Sequence, residues 1–181
     1  KIEPVIAPLL YPERVPVALP DGCIFSMRTD DAKVVIDEGP YKAHGTPGGA
    51  VLPVVASGPC GRVLYFILQS KVTIGTKVPA TTDFSVEMWW QPTSAVTKVA
   101  QVLIGRWTGT AGGYMWRLRT SNAHVSFQVS PDGSAAGRTL TTSTTVTAGQ
   151  WHHIVATFKD GGAGASQMRV YINSAVSNVT V

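Results

Sequence analysis

From residue 83 onward, apolar and polar positions alternate with a period of two, the pattern of strands that bury one face. In residues 83–91, Phe84, Val86, Met88 and Trp90 share one side, Ser85, Glu87 and Trp89 share the other, and Pro92 ends the run. Residues 151–159 are rich in β-branched and aromatic side chains and are bracketed by Gly149 and by Gly161-Gly162, so they read as a strand. Its partner is 168–173, where Met168, Val170 and Ile172 alternate with Arg169, Tyr171 and Asn173. Residues 99–107, 139–147 and 175–181 read as further strands. The clearest hairpin lies at 114–129. With Ser121-Asn122 as its two-residue turn, Tyr114 faces Val129, Trp116 faces Phe127 and Leu118 faces Val125. The opposite side then carries Met115, Arg117, Arg119, His124, Ser126 and Gln128, a mostly polar strip.

The first part of the chain is punctuated differently. Pro4, Pro8, Pro12, Pro16 and Pro20 recur at every fourth position among Val, Ile, Leu and Ala. Proline fixes φ and removes a donor, so residues 1–20 are expected to form an extended arm along their own domain or a neighbouring subunit, with a disordered leader as the alternative. Strand-like runs follow at 23–27 and 33–36, separated by the polar residues 28–31. Residues 41–59, rich in Gly and Pro, read as loop around a short run at 50–55, and 62–68 and 71–74 read as strands. No segment has the period of an amphipathic helix. The expectation is an all-β fold, a two-sheet antiparallel sandwich at residues 22–181 preceded by the arm at 1–21.

Composition narrows the class. A chain of 181 residues that is 44% hydrophobic suits one domain with a core of useful size. The 15 Lys and Arg against 11 Asp and Glu give a net charge of +4, spread too thinly for a nucleic-acid groove. No apolar run approaches the roughly 20 residues of a membrane span, so membrane insertion is not expected. The first residues lack the basic-then-apolar layout of a signal peptide, which leaves a processed secreted protein, a cytosolic one and a virion component all open. Cys23 and Cys60 are compatible with a disulfide or with two small buried thiols among Ile24, Phe25, Val63 and Leu64.

Five blocks in order carry a resemblance: SKVTIGTKVPATTDFSVEMWWQP at 70–92, VLIGRW at 102–107, YMWRLR at 114–119, GQWHHIVATFKD at 149–160 and MRVYINS at 168–174. Together they resemble the concanavalin A-like lectin and glucanase superfamily, in its laminin-G-like jelly-roll branch. Weaker similarity reaches back through residues 25–49, so the resemblance covers about 22–181. It implies a jelly roll and a binding, structural or glycan-active role. Relatives usually continue past the strand matching 168–173 into strands that close the sheet, so closure by a neighbouring chain or by further residues is expected. Many relatives also hold Ca²⁺ at an early turn. The matching place here reads Asp37-Glu38-Gly39-Pro40-Tyr41, which makes Asp37 and Glu38 the Ca²⁺ candidates, short of the six to eight oxygens such a site wants.

Sugar recognition needs an exposed aromatic face and planar polar side chains. Trp89 and Trp107 are the candidate platforms, since Trp90, Trp116 and Trp151 read as core. Arg117, Arg119, His124 and Gln128 are the candidate polar contacts, set against an ordinary solvated face. Catalysis would need two flanking carboxylates, and Glu87 has only Ser85 and Trp89 as same-face neighbours on its strand. His152 and His153 point to opposite faces and read as scaffold. These observations lead to the expectation of a non-catalytic binding or structural module of an extracellular or virion assembly, such as a bacteriophage decoration, fibre or tail protein. Its expected partners are a glycan or cell-surface receptor, and neighbouring subunits reached through residues 1–20. It requires no cofactor, with Ca²⁺ as an option, and the alternative is a glucanase-like enzyme of the same fold.

Overall fold

The computed structural model describes residues 27–31, 34–37, 44–58, 61–66, 70–74, 83–92, 100–107, 115–130, 133, 137–161 and 166–177, with backbone alone at 27–31, 34–37, 57–58 and 61–62. Among these residues every regular element is a strand, as the alternation predicts. The chain divides into two compact units, Lys1–Val78 and Pro79–Val181. The arm at 1–20, Cys23, Glu38 and Cys60 lie outside the described residues.

The first unit holds β1 (Met27–Asp31), β2 (Val34–Asp37), β3 (Gly45–Gly48) and β6 (Lys71–Ile74) in one antiparallel sheet of order β1-β2-β3-β6. A separate two-stranded ribbon pairs β4 (Val54–Gly58) with β5 (Gly61–Tyr65). Two expectations are corrected here. The polar residues 28–31, read as a link, are the strand itself. They occupy a sheet edge, where charged side chains are tolerated, and a bulge lies between Thr29 and Asp31. Residues 45–48, read as loop because of Gly45, Pro47 and Gly48, form β3. Pro47 is tolerated because β2 pairs with β3 only at Val35 and Gly45, which leaves the proline a single neighbouring strand, β6.

The second unit is a sandwich of two four-stranded antiparallel sheets. One has the order β11-β10-β9-β8, from β8 (Val102–Arg106), β9 (Met115–Ser121), β10 (His124–Ser130) and β11 (Arg138–Thr145). The other has the order β14-β13-β12-β7, from β7 (Phe84–Trp90), β12 (His152–Lys159), β13 (Gln167–Ile172) and β14 (Ala175–Val176). Their inner faces meet through Leu118, Val125, Phe127, Val129 and Leu140 on one side and Ile154, Ala156, Phe158, Met168, Val170 and Ile172 on the other. Phe84 joins the sheets, with ring centroids 5.4 Å from Trp116, 6.0 Å from Phe127 and 5.7 Å from Phe158. Each fully buried large apolar side chain contributes about 1.5–3 kcal/mol, so this interface dominates the stability of the unit. The arrangement is that of a jelly-roll sandwich. Trp90 and Trp116 pack against this core as expected, while Trp151 is half-buried at the entrance to β12.

The hairpin register differs from the expected one. The turn is Asn122-Ala123, so Leu118 faces Phe127, Trp116 faces Val129 and Thr120 faces Val125. Both turn residues have positive φ, 49° and 65°, the combination that matches the twist of the flanking strands. Each partner moves by two positions, so every side chain keeps its predicted face. The turn at Asn173-Ser174 repeats this geometry, with φ of 51° and 68°. It joins β13 (Gln167–Ile172) to β14 (Ala175–Val176), and residues 178–181 of the expected last strand lie outside the described residues.

Candidate functional site

The face of the β8–β11 sheet turned away from the core carries the polar strip. Strand alternation puts Arg117 and Arg119 of β9 there, with His124, Ser126 and Gln128 of β10 and Thr139 and Thr141 of β11. Arg117, Gln128 and Thr139 are bound into a ladder across three strands, and Ser126 and Thr141 form a second rung. Arg117 Nε donates to Gln128 Oε1 at 2.6 Å, and Gln128 Nε2 donates to Thr139 Oγ1 at 2.8 Å. One rung along, the hydroxyls of Ser126 and Thr141 meet at 2.9 Å. The ladder holds Gln128 in one amide orientation and Arg117 in one direction.

Trp107, just after β8, brackets the strip. The Arg117 guanidinium carbon lies 4.1 Å from the centroid of its ring, a cation–π contact. One face of the indole is thereby occupied. Gly105 faces Arg117 across the β8–β9 pair, and the absence of a side chain there admits the arginine stem. Burial, and secondly the positive charge of Arg119, hold the Arg117 guanidinium below its usual pKa. The Arg119 Nε and the His124 Nδ1 are buried and have no hydrogen-bond partner. The strip is thus donor-rich, half-buried at Arg117, Arg119, His124 and Gln128 and fully covered at Ser126, as are Met115 and Ser130 on the same face. It brings together Trp107, Arg117, Arg119, His124 and Gln128, five of the six side chains singled out for sugar binding.

The sixth, Trp89, is on the outer face of the other sheet. It is 45% exposed, and its ring stacks on His153 with centroids 4.9 Å apart and planes at 29°. His153 Nε2 lies 2.8 Å from Glu87 Oε1. This trio follows from the pairing of β7 with β12, which sets His153 opposite Trp89 and Val155 opposite Glu87. Sequence reasoning placed Glu87 and Trp89 on one face of their strand and His153 on the face opposite to His152, but did not join the three, because a period of two gives faces and not partners. The same applies to Thr139 and Thr141, which no sequence signal singled out. His152 points inward and is buried, with its Nε2 3.1 Å from the Thr147 backbone nitrogen, so the two histidines do diverge.

A family model of the laminin G type, described as the concanavalin A-like lectin/glucanases superfamily, matches residues 69–180. The chain belongs to this superfamily. No curated protein and no solved structure matches the chain. The match begins just before β6, so the weaker similarity read at residues 25–49 is not part of it. Within this concanavalin A-like chain, no group of three or more His, Cys, Asp or Glu stands ready for a metal among the described residues. The Ca²⁺ candidates fall outside that test, since Asp37 is described by its backbone alone and Glu38 is not described. Of the described acids of the matched stretch, Asp83 and Asp160 are neighbours and Glu87 stands apart, and each is engaged by a donor. Asp83 Oδ1 accepts the Asp160 backbone N–H at 2.8 Å, Asp160 Oδ1 accepts from Ser166 at 2.9 Å, and Glu87 is held by His153.

Proposed function

We propose that this superfamily member is a non-catalytic sugar-recognition module of an extracellular or virion assembly, and that the outer face of β8–β11 is its binding surface. The observation that carries the reading is the ladder Arg117–Gln128–Thr139 braced against Trp107. Recognition of sugar hydroxyls requires planar donors and acceptors held in fixed directions beside an aromatic ring, and this ladder supplies both. The non-catalytic part rests on Glu87. Hydrolysis with this fold calls for two carboxylates about 5–10 Å apart across the sugar bond, whereas Glu87 is bonded to a histidine and flanked on its strand by Ser85 and Trp89.

The test is glycan-array binding by the wild type, Trp107→Ala and Arg117→Ala. The reading expects binding that falls at least tenfold in both variants, and a wild type that binds no glycan defeats it. Activity against a polysaccharide panel decides the enzyme alternative, in which Glu87→Gln abolishes hydrolysis that the wild type performs.

The assembly part has its own support. Val51, Leu52, Val54, Tyr65 and Phe66 are each more than 40% exposed on and beside the β4–β5 ribbon. Exposed apolar side chains on a two-stranded ribbon suit a subunit contact. A phage decoration, fibre or tail role fits such a module. Deleting residues 1–20 and measuring incorporation into the oligomer or particle tests the proposed arm, and normal incorporation would exclude it.

A further inference from the structure

The outward face of the β14-β13-β12-β7 sheet is more open than that of the sheet packed against it. On β9 and β10 the outward Met115, Ser126 and Ser130 are covered. On the second sheet the outward Ser85, Glu87, Trp89, Lys159, Gln167 and Arg169 are all exposed. Strand register fixes how this open face is laid out. One row runs Glu87, Val155, Tyr171, Val176 across all four strands. The row on one side of it carries Trp89 and His153, and the row on the other carries Ser85, Thr157 and Arg169. The centre is therefore apolar, with Val155 and Tyr171 half-buried, Trp89 45% exposed and Val176 55% exposed. The charges stand apart at its rim, acid on β7 at Glu87 and base on β13 at Arg169. An aromatic and aliphatic centre inside a charged rim is the composition of a protein–protein contact, in which Trp, Tyr and Arg carry most of the binding.

From this layout we infer that the face is the contact of a two-fold homodimer, its occupant being the same face of a second copy of the chain. Strands about 4.8 Å apart and a rise of about 6.8 Å per two residues put Glu87 and Arg169 roughly 12 Å from each other on the sheet. Consider a two-fold axis in the plane of contact that bisects the line between them, crossing β12 between Val155 and Thr157. It sets each Glu87 against Arg169 of the partner subunit. The same rotation brings Tyr171 beside Val155 of the partner subunit and Trp89 beside Val176 of the partner subunit. One axis thus matches acid to base and apolar to apolar, the self-complementarity that an isologous contact requires. His153 prepares the acid for this role. Its Nε2 lies 2.8 Å from Glu87 Oε1, which fixes the carboxylate and leaves Oε2 for an arriving guanidinium. Trp89 is already stacked on His153, so it loses little freedom when covered. Four strands, one of them of two residues, give a small footprint, and the dimer is accordingly weak, with a Kd on the order of 10–100 µM. Sugar recognition on the β8–β11 face plays no part in this contact.

Sedimentation equilibrium of the full chain, from about 1 µM to about 500 µM, tests the dimer. The wild type is expected to pass from monomer to dimer across that range. Glu87→Arg and Arg169→Glu each set like charges together twice by symmetry, and each should weaken association at least tenfold. The double variant Glu87→Arg/Arg169→Glu exchanges the two charges and should recover the dimer. Val176→Asp should weaken it as the single reversals do, and Arg106→Glu, at an exposed position on the other sheet, should leave it unchanged. Thermal midpoints matching the wild type show that the variants are folded. A wild type that stays monomeric throughout overturns the homodimer and leaves the face to a different partner. Association that neither reversal weakens, a double variant as weak as the singles, or an equal loss in Arg106→Glu also overturns it.

Discussion

At Gly105 a Cβ atom would stand 2.7 Å from the Arg117 Cβ and 2.8 Å from both the Arg117 Cα and the Trp116 carbonyl oxygen. Two of those three atoms are backbone, which cannot swing aside. Gly105→Ala is therefore expected to lower stability by about 1–3 kcal/mol and to push Arg117 off Trp107. Urea denaturation reads the first effect, and a change in the tryptophan emission of the native state reads the second. Thr142 is a second position where one atom serves several bonds. Its buried hydroxyl accepts the Val125 N–H at 3.1 Å and donates to the Thr144 carbonyl at 2.8 Å. Thr142→Val keeps the shape and strands both partners, so a loss of about 1–3 kcal/mol is expected. Leu118→Ala, at the centre of the core, should cost about 2–5 kcal/mol. If Thr142→Val were neutral in denaturation, the hydroxyl would not be bonded as described.

The β9–β10 hairpin is the element on which the candidate site depends, and its turn is imperfectly matched to its backbone. Ala123 holds a φ of 65°, a left-handed conformation that costs a residue with a Cβ roughly 1–2 kcal/mol. Ala123→Gly creates the Asn-Gly pair favoured in such turns and is expected to stabilise the hairpin by up to about 1 kcal/mol, seen as a higher urea midpoint at unchanged slope. The hairpin also shows what was legible in the sequence. The alternation of Trp116, Leu118, Val125 and Phe127 against Arg117, Arg119, His124 and Gln128 set the faces correctly, because a face depends only on parity. The register slipped by one turn residue, since Ser121-Asn122 and Asn122-Ala123 satisfy the same parity and only the positive φ of Ala123 separates them. At β3 the failure was different. Gly45, Pro47 and Gly48 carry no strand propensity, and the strand exists because β6 supplies its ladder. The Trp89–His153–Glu87 trio was hidden because the pairing of β7 with β12, strands distant in sequence, is set by tertiary packing.

At the scale of the molecule, the matched superfamily domain has a core of its own in Pro79–Val181, closed by Val125, Phe127, Ile154 and Val170 from both sheets. A fragment comprising residues 79–181 is expected to fold alone, with a β-type circular dichroism spectrum and a cooperative melt. An unstructured fragment would mean that the first unit is required to complete the sandwich. On the proposed reading, sugar is met by the arginines, the amide and the hydroxyls of the strip. Glycan binding is thus expected to survive EDTA with less than a twofold change, and its loss would implicate Asp37 and Glu38. The central proposal is one of location: sugar is recognised on the outer face of β8–β11 and not on the Trp89–His153 face of the opposite sheet. Backbone amide shifts of the ¹⁵N-labelled protein, followed through a titration with the tightest-binding oligosaccharide, test it most directly. The largest perturbations are expected at residues 115–130 and 138–142 and at the indole N–H of Trp107. Perturbations concentrated at Glu87, Trp89 and His153, with the β9–β10 hairpin silent, would contradict it.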